Sequence, residues 1–183
     1  MTTRLQGPVA AAFAVDGPLA QAQPGYAERG GQTELALAVA DAIENATTLV
    51  AEAGTGTGKT FAYLVPVLLS GGKVLISTGT KTLQDQLFSR DLPRVKQALG
   101  LAASTALLKG RANYVCRHHL RRNLEDGRFE RREDIAVLKR IERFAAISSS
   151  GDRAQAPGIP EESPVWAKAT STRENCLGQD CPE

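Results

Sequence analysis

The pattern of apolar and polar residues predicts a strand, a loop, a helix and a second strand in the middle of the chain. Residues 47–51 form a short β-branched and apolar run, and residues 61–69 are apolar enough for a buried helix. A turn of two glycines precedes a second apolar run at 73–78, and residues 105–108 predict a third strand. Strands that alternate with helices are typical of a parallel sheet, so the sequence predicts an α/β fold.

Helical periodicity appears on both sides of this region. Apolar residues repeat every four positions between Leu35 and Ile43, which predicts a helix over about 26–45, and a further helix is predicted at 81–89. A third apolar repeat predicts a helix around 135–145. Residues 1–25 are rich in Ala, Gly, Pro and Gln with little periodicity, and they predict an extended N-terminal arm.

A glycine-rich loop connects the first predicted strand to its helix. Its glycines allow backbone N–H groups to curl around phosphate oxygens at a helix start. Lys59 then reaches the terminal phosphates, and Thr60 offers a hydroxyl to Mg²⁺. A glycine-rich turn that binds nothing is the alternative interpretation. The candidate nucleotide-binding residues of the loop are Ala53, Gly54, Thr55, Gly56, Thr57, Gly58, Lys59 and Thr60.

The charge distribution indicates a second candidate surface. The net charge is only +2, but residues 109–143 hold eleven Lys and Arg against six acids. Such a stretch is either a surface for nucleic-acid phosphates or an ordinary solvated helical face. No apolar run reaches the length of a transmembrane helix, and we expect a protein of the cytoplasm.

Three cysteines form the third candidate feature. Cys176 and Cys181 are separated by four residues, and Cys116 lies beside His118 and His119. An odd number of thiols argues against a disulfide framework and suits a reducing compartment. Thiolates at short spacing suit zinc, with one His as a ligand, or an iron–sulfur cluster. Unrelated reduced cysteines are the remaining alternative.

An ordered series of motifs resembles the N-terminal part of bacterial DinG/YoaA-type helicases, in the XPD-like, iron–sulfur branch of superfamily 2. The motifs span nearly the whole chain, and together they are far more specific than the phosphate loop alone. They comprise Phe13 with 16–20, Gly25-Tyr26 with Arg29 and Gln32, the loop 53–60, 76–78 with Thr80, 83–87, and 109–116.

The resemblance implies roles for individual residues. Gln32 and Arg29 match the motif that reads adenine, while Thr78 and Thr80 match a motif that contacts single-stranded DNA. The motif 109–116 opens the basic segment, where Lys109 and Arg111 are the candidate DNA contacts. Three of the four ligands of a [4Fe–4S] cluster are matched by Cys116, Cys176 and Cys181.

The implied fold is a P-loop NTPase of RecA-like type, with a parallel sheet covered by helices on both faces and a mostly helical iron–sulfur insertion. The arm would cover 1–25, the first part of motor domain 1 would cover 26–112, and a partial cluster domain would cover 113–183. The implied activity is ATP- and Mg²⁺-dependent 5′ to 3′ translocation of a monomer on single-stranded or forked DNA, in repair or replication.

Two departures from the family pattern qualify these expectations. Glycines at 30 and 31 replace a bulkier pair before Gln32, which weakens the expected adenine contact. The sequence ends at Glu183, before the fourth cysteine, the acidic Mg²⁺-binding box and the second motor domain. We therefore expect these 183 residues alone to bind nucleotide weakly, without efficient hydrolysis or unwinding. A non-catalytic zinc- and nucleic-acid-binding module, and another P-loop ATPase or kinase, are the alternatives.

Overall fold

The computed structural model describes residues 4–129 and 131–183, which divide into two compact units. The first unit extends to Ala106 and the second comprises Leu107–Glu183. The boundary lies six residues before the one expected from the motifs. The helices are α1 (Gln6–Phe13), α2 (Pro18–Ala22), α3 (Gly30–Glu44), α4 (Lys59–Leu69), α5 (Lys81–Gln86), a π-helical turn (Leu87–Asp91), α6 (Leu92–Ala98), α7 (Arg117–Asp126) and α8 (Arg132–Ile147).

The core of the first unit lies where α3 and α4 pack together, with α1, α2 and α6 around them. Ala36 and Ala40 of α3 are fully buried, as are Leu64 and Val65 of α4, and the small alanine side chains let the two helices approach closely. The helix α4 continues through the buried Pro66 and is not ended early by it. This packing fixes the start of α4, where the glycine-rich loop ends.

The prediction of an extended N-terminal arm is wrong for the described residues from Arg4 onwards. Residues 6–13 and 18–22 form α1 and α2, and Val9, Phe13 and Leu19 are buried in the first core. The alanine content that suggested low complexity also favours helix, and the few apolar side chains suffice to dock it. The Tyr26 hydroxyl donates to the Phe13 carbonyl at 2.7 Å and ties these helices to the next segment.

The three expected strands do not form a sheet in the described residues. There the β-pairing consists of an isolated antiparallel bridge between Tyr114 and Asp152. A strand needs a neighbour for its backbone hydrogen bonds, and the three segments do not pair with one another. Val50, Leu75 and Leu108 are 93%, 91% and 81% exposed. These three positions are apolar and largely exposed, and their segments form no β-ladder in the ranges that the structure describes.

The second unit is built around Trp166. Its side chain is 2% exposed, it packs with Leu120, Leu138 and Ile141 of α7 and α8, and its indole N–H donates to the Pro160 carbonyl at 2.9 Å. The predicted helix around 135–145 is confirmed within α8. Across both described ranges, every helix is too short or too polar to cross a membrane.

Candidate functional site

Two glycines set the curvature of the loop before α4. Gly56 and Gly58 have φ of 80° and 81°, and this left-handed conformation is costly for residues with a Cβ. Gly58 directly precedes Lys59, the first residue of α4. The loop therefore brings its backbone to a helix N-terminus, where unpaired N–H groups and the helix dipole favour anions.

Lys59 lies across this loop. Its ammonium donates to the carbonyls of Ala53 and Gly54 at 2.6 and 2.7 Å, and its side chain is solvent-exposed. The Thr57 hydroxyl donates to the Gly54 carbonyl at 2.9 Å and tightens the same bend. One exposed cation therefore lies beside the backbone of a glycine-rich bend, a combination that suits polyphosphate.

Gln32 and Arg29 both contact the loop. The Gln32 amide donates to the Gly58 carbonyl at 2.8 Å, and the Arg29 guanidinium donates to the Gly56 carbonyl at 2.6 Å. Gln32 is only 9% exposed, and an added Cβ on Gly58 would lie 2.1 Å from its Nε2. The structure thus brings the two residues with an expected adenine role onto the carbonyls of the two left-handed glycines.

Thr80 and Thr78 lie together at the start of α5. The Thr80 hydroxyl accepts from the Leu83 N–H at 3.2 Å and caps the helix, and the Thr78 hydroxyl donates to the Thr80 carbonyl at 3.3 Å. Thr80 is exposed and Thr78 is half-buried. Both hydroxyls therefore have a structural contact, and the cap leaves the Thr80 side chain at the surface.

Lys109 has a structural contact that the sequence did not predict. Its ammonium lies 3.0 Å from the Asp152 carboxylate, and the two side chains are only 7% and 9% exposed. The Lys109 backbone N–H also donates to the Tyr114 hydroxyl at 2.8 Å. These contacts join the segment before Cys116 to the loop after α8, whereas Arg111 is exposed.

The three cysteines have two neighbours in common, Arg111 and Ser171. Cys116 and Cys181 line a cavity of about 370 Å³ together with Arg111, His118 and Ser171. Among the described residues, no group of three or more His, Cys, Asp or Glu is close enough to hold a metal ion.

Cys176 joins this neighbourhood through the same two side chains. A hydrogen bond from the Gly178 backbone lowers the pKa of the Cys176 thiol, and contacts with Arg111 and Ser171 act in the same direction. Arg111, near the start of the second unit, and Cys176, near its end, therefore lie in one neighbourhood.

Sequence reasoning missed a group of residues beside Thr60. Burial raises the pKa of the Tyr63 phenol, and the negative charge of Asp91 acts in the same direction, while a hydrogen bond with Thr60 acts to lower it. Asp91 is itself only 5% exposed. The one available signal was the tyrosine three residues after Thr60, since nothing in the sequence linked Asp91 to the loop.

Comparison with known proteins supports the motif assignment. Residues 33–128, more than half of the chain, match the DEAD/DEAH box helicase family. The chain is 47% identical over 174 residues to the ATP-dependent DNA helicase YoaA of Haemophilus influenzae, covering 95% of this chain and 27% of that protein.

Two further relatives agree. Identity is 46% over 170 residues to the ATP-dependent DNA helicase YoaA of Escherichia coli, with 93% of this chain and 27% of that protein covered. It is 37% over 187 residues to the ATP-dependent helicase DinG of Mycobacterium tuberculosis, with coverages of 90% and 28%. The chain thus spans about a quarter of the length of these relatives. The expected resemblance is confirmed: the chain belongs to the DEAD/DEAH box helicase family and is similar to YoaA and DinG helicases along 90% or more of its length.

Proposed function

We propose that this chain supplies the ATP-binding loop of an ATP-dependent 5′ to 3′ DNA helicase. The observation that carries the proposal is the contact of Gln32 and Arg29 with the carbonyls of Gly58 and Gly56. These contacts join two motifs that are 26 or more residues apart in the sequence. We call these two hydrogen bonds the clamp. A glycine-rich turn without a ligand does not need the clamp, whereas a nucleotide site uses it to fix the position of the base-binding residues relative to the phosphate-binding loop.

Each residue of the proposed ATP site would have a role that follows from its side-chain chemistry. Lys59 would exchange its contacts with Ala53 and Gly54 for the terminal phosphates, and Thr60 would hold Mg²⁺ through its hydroxyl. Gln32 and Arg29 would hold the loop and read the adenine edge. Phosphoryl transfer in such sites depends mainly on positioning and on charge stabilisation, and the loop provides both on the phosphate side.

The proposed RecA-like sheet would use the three apolar segments predicted as strands, at 47–51, 73–78 and 105–108. Val50, Leu75 and Leu108 belong to separate segments, and each exposes most of an apolar side chain. Burying such side chains is favourable by about 25 cal/mol per Å² of apolar surface, and sheet pairing with covering helices is the usual way to do so in α/β proteins.

We propose Thr78 and Thr80 of the first unit, and Arg111 of the second, as contacts with the backbone of single-stranded DNA. Thr80 and Arg111 are exposed. Lys109 is the weakest of the candidates, because its ammonium is buried in the pair with Asp152. A phosphate would have to displace that carboxylate.

The cysteines would hold a [4Fe–4S] cluster with a fourth ligand from elsewhere. The donor chemistry fits, because Cys116 and Cys181 line one cavity and Cys176 shares its neighbours Arg111 and Ser171. When bound, the cluster would cross-link the start of α7 to the segment 176–181. The alternative of a zinc-binding module is favoured by one observation, which is that His118 lines the same cavity.

Nucleotide binding tests the proposal directly. We expect the 183-residue chain to bind a fluorescent ATP analogue in the presence of Mg²⁺ and Lys59→Ala to abolish that binding. Lys73→Ala, which removes another exposed lysine of the same unit, is the matched control and should bind normally. Equal binding by wild type and Lys59→Ala would contradict the proposal. Iron and sulfide, rather than zinc, in protein purified without oxygen would distinguish the cluster from the zinc module.

A further inference from the structure

The start of α7 holds a distant part of the chain beside Cys116. Cys116 directly precedes α7, and its backbone N–H donates to the Ala169 carbonyl at 2.7 Å. We call residues 168–176 the cysteine-bearing segment, because it ends at Cys176. Ala169 is fully buried in the core of the second unit, and Ser171 is buried as well. The segment therefore begins beside one candidate metal ligand and ends at another.

Asn123 provides a second contact from the same helix. Its amide nitrogen donates to the Lys168 carbonyl at 2.9 Å and to the His119 carbonyl at 2.8 Å. An asparagine amide has two N–H hydrogens, so both are used in these bonds. The bond to His119 lies within α7 and fixes the Asn123 side chain, and the bond to Lys168 fixes the start of the cysteine-bearing segment.

His119 contacts the other end of the segment. Its Nε2 lies 3.2 Å from the Asn175 carbonyl oxygen, which belongs to the peptide bond that joins Asn175 to Cys176. A carbonyl oxygen only accepts hydrogen bonds, so Nε2 carries the hydrogen and donates it. The Asn175 side chain also accepts from the Thr172 N–H at 2.7 Å and closes the turn before Cys176. Because His119 and Asn123 are four residues apart, they share the face of α7 along which the segment lies.

We propose that His119 and Asn123 are positioning residues, which hold the cysteine-bearing segment along α7 and keep Cys176 beside the first turn of that helix. The inference rests on the proposed metal centre at the cysteines. In the ranges that the structure describes, no three donors are close enough to bind a metal ion, so binding must draw the thiols together. A segment that is already held at both ends loses less conformational freedom in that step, which raises the affinity for the metal. His119 acts through the backbone, and the Nε2 that donates its hydrogen bond cannot at the same time bind a metal ion.

Cadmium binding tests this role, because Cd²⁺ prefers soft thiolate ligands and its bonds to them absorb in the ultraviolet. The 183-residue chain is reduced, freed of metal and titrated with Cd²⁺ without oxygen. His119→Ala is expected to weaken Cd²⁺ binding about fivefold, as for one lost hydrogen bond. His119→Gln should bind as the wild type does, because the glutamine amide also donates a hydrogen bond but is a poor ligand for a soft metal. Arg122→Ala is the matched control and should change nothing, since Arg122 is exposed on the same helix and pairs with Asp126.

Hydrogen exchange tests the same contacts without a metal. In the metal-free chain, exchange over residues 168–176, measured by mass spectrometry, should be faster in His119→Ala and in Asn123→Ala and unchanged in His119→Gln. The inference would be overturned by unchanged exchange or unchanged Cd²⁺ affinity in His119→Ala, or by a loss of Cd²⁺ affinity in His119→Gln as large as in His119→Ala. If the wild type binds no Cd²⁺ but exchange changes as expected, the proposed cysteine site fails while the positioning of the segment stands.

Discussion

The glycine-rich loop and the cysteine cavity show two different ways in which this chain builds a candidate site. The loop is assembled mainly from neighbours in sequence, since Lys59 contacts Ala53 and Gly54. The cysteine cavity needs residues from both ends of the second unit, since Cys116 and Cys181 line it together. The first site combines local backbone conformation with contacts from Gln32 and Arg29 of its own unit, and the second depends on the core of the second unit. A mutation in the second core should therefore destroy one site without the other.

The largest effect is expected when the central side chain of the second unit's core, Trp166, is removed. Trp166→Ala should cost about 4 kcal/mol of the free energy of unfolding, because it deletes a fully buried aromatic side chain. All three thiols should then react rapidly with a thiol reagent while binding of the fluorescent ATP analogue is retained. Val15→Ala, at a side chain that is 73% exposed, is the control. Loss of nucleotide binding in Trp166→Ala would show that the two sites are not independent.

The next largest effect on the free energy of unfolding is expected at the buried ion pair of Lys109 and Asp152 in the second unit. Lys109→Met should cost about 3 kcal/mol, because the Asp152 carboxylate would be left buried without its partner. Lys109→Met with Asp152→Leu should recover most of this loss in chemical denaturation. Retained stability together with weaker, less salt-sensitive DNA binding in Lys109→Met would instead support a direct phosphate contact.

Two glycine substitutions sharpen the account of the loop. Gly56→Ala should weaken nucleotide binding by about 1 kcal/mol, since its φ of 80° is unfavourable but its surroundings are open. Gly58→Ala should weaken it more, since the new methyl would also collide with Gln32 Nε2. Calorimetric titration with Mg·ATP measures both. Equal losses would contradict the clamp, whereas partial rescue of Gly58→Ala by Gln32→Ala would support it.

The smallest predicted effect separates capping from DNA contact at Thr80. Thr80→Ala should cost about 1 kcal/mol of stability, because the cap on the Leu83 N–H is lost. Thr80→Asp should keep the cap and the stability but weaken single-stranded DNA binding through charge repulsion. Fluorescence anisotropy with a labelled oligonucleotide measures the second effect. Unchanged DNA affinity in Thr80→Asp would remove Thr80 from the proposed interface.

The same contrast explains what could be predicted from the sequence. The bend of the loop could be predicted because Gly56 and Gly58 act there through backbone geometry, which is a local property. The helices α1 and α2 were missed because their pattern is weak, and docking onto α3 and α4 stabilises them. The buried position of Asp91 depends on a π-helical turn, and no motif encodes that turn.

The central claim is that Gly54–Thr60, clamped by Gln32, forms the binding site for the phosphates of ATP. The most direct test is the NMR spectrum of the isotope-labelled chain during addition of Mg·ATP. The account predicts large shifts of the backbone amides of Gly56, Gly58, Lys59 and Thr60, together with the side-chain amide of Gln32. Backbone amides of the loop that stay unchanged while nucleotide binds elsewhere would contradict it.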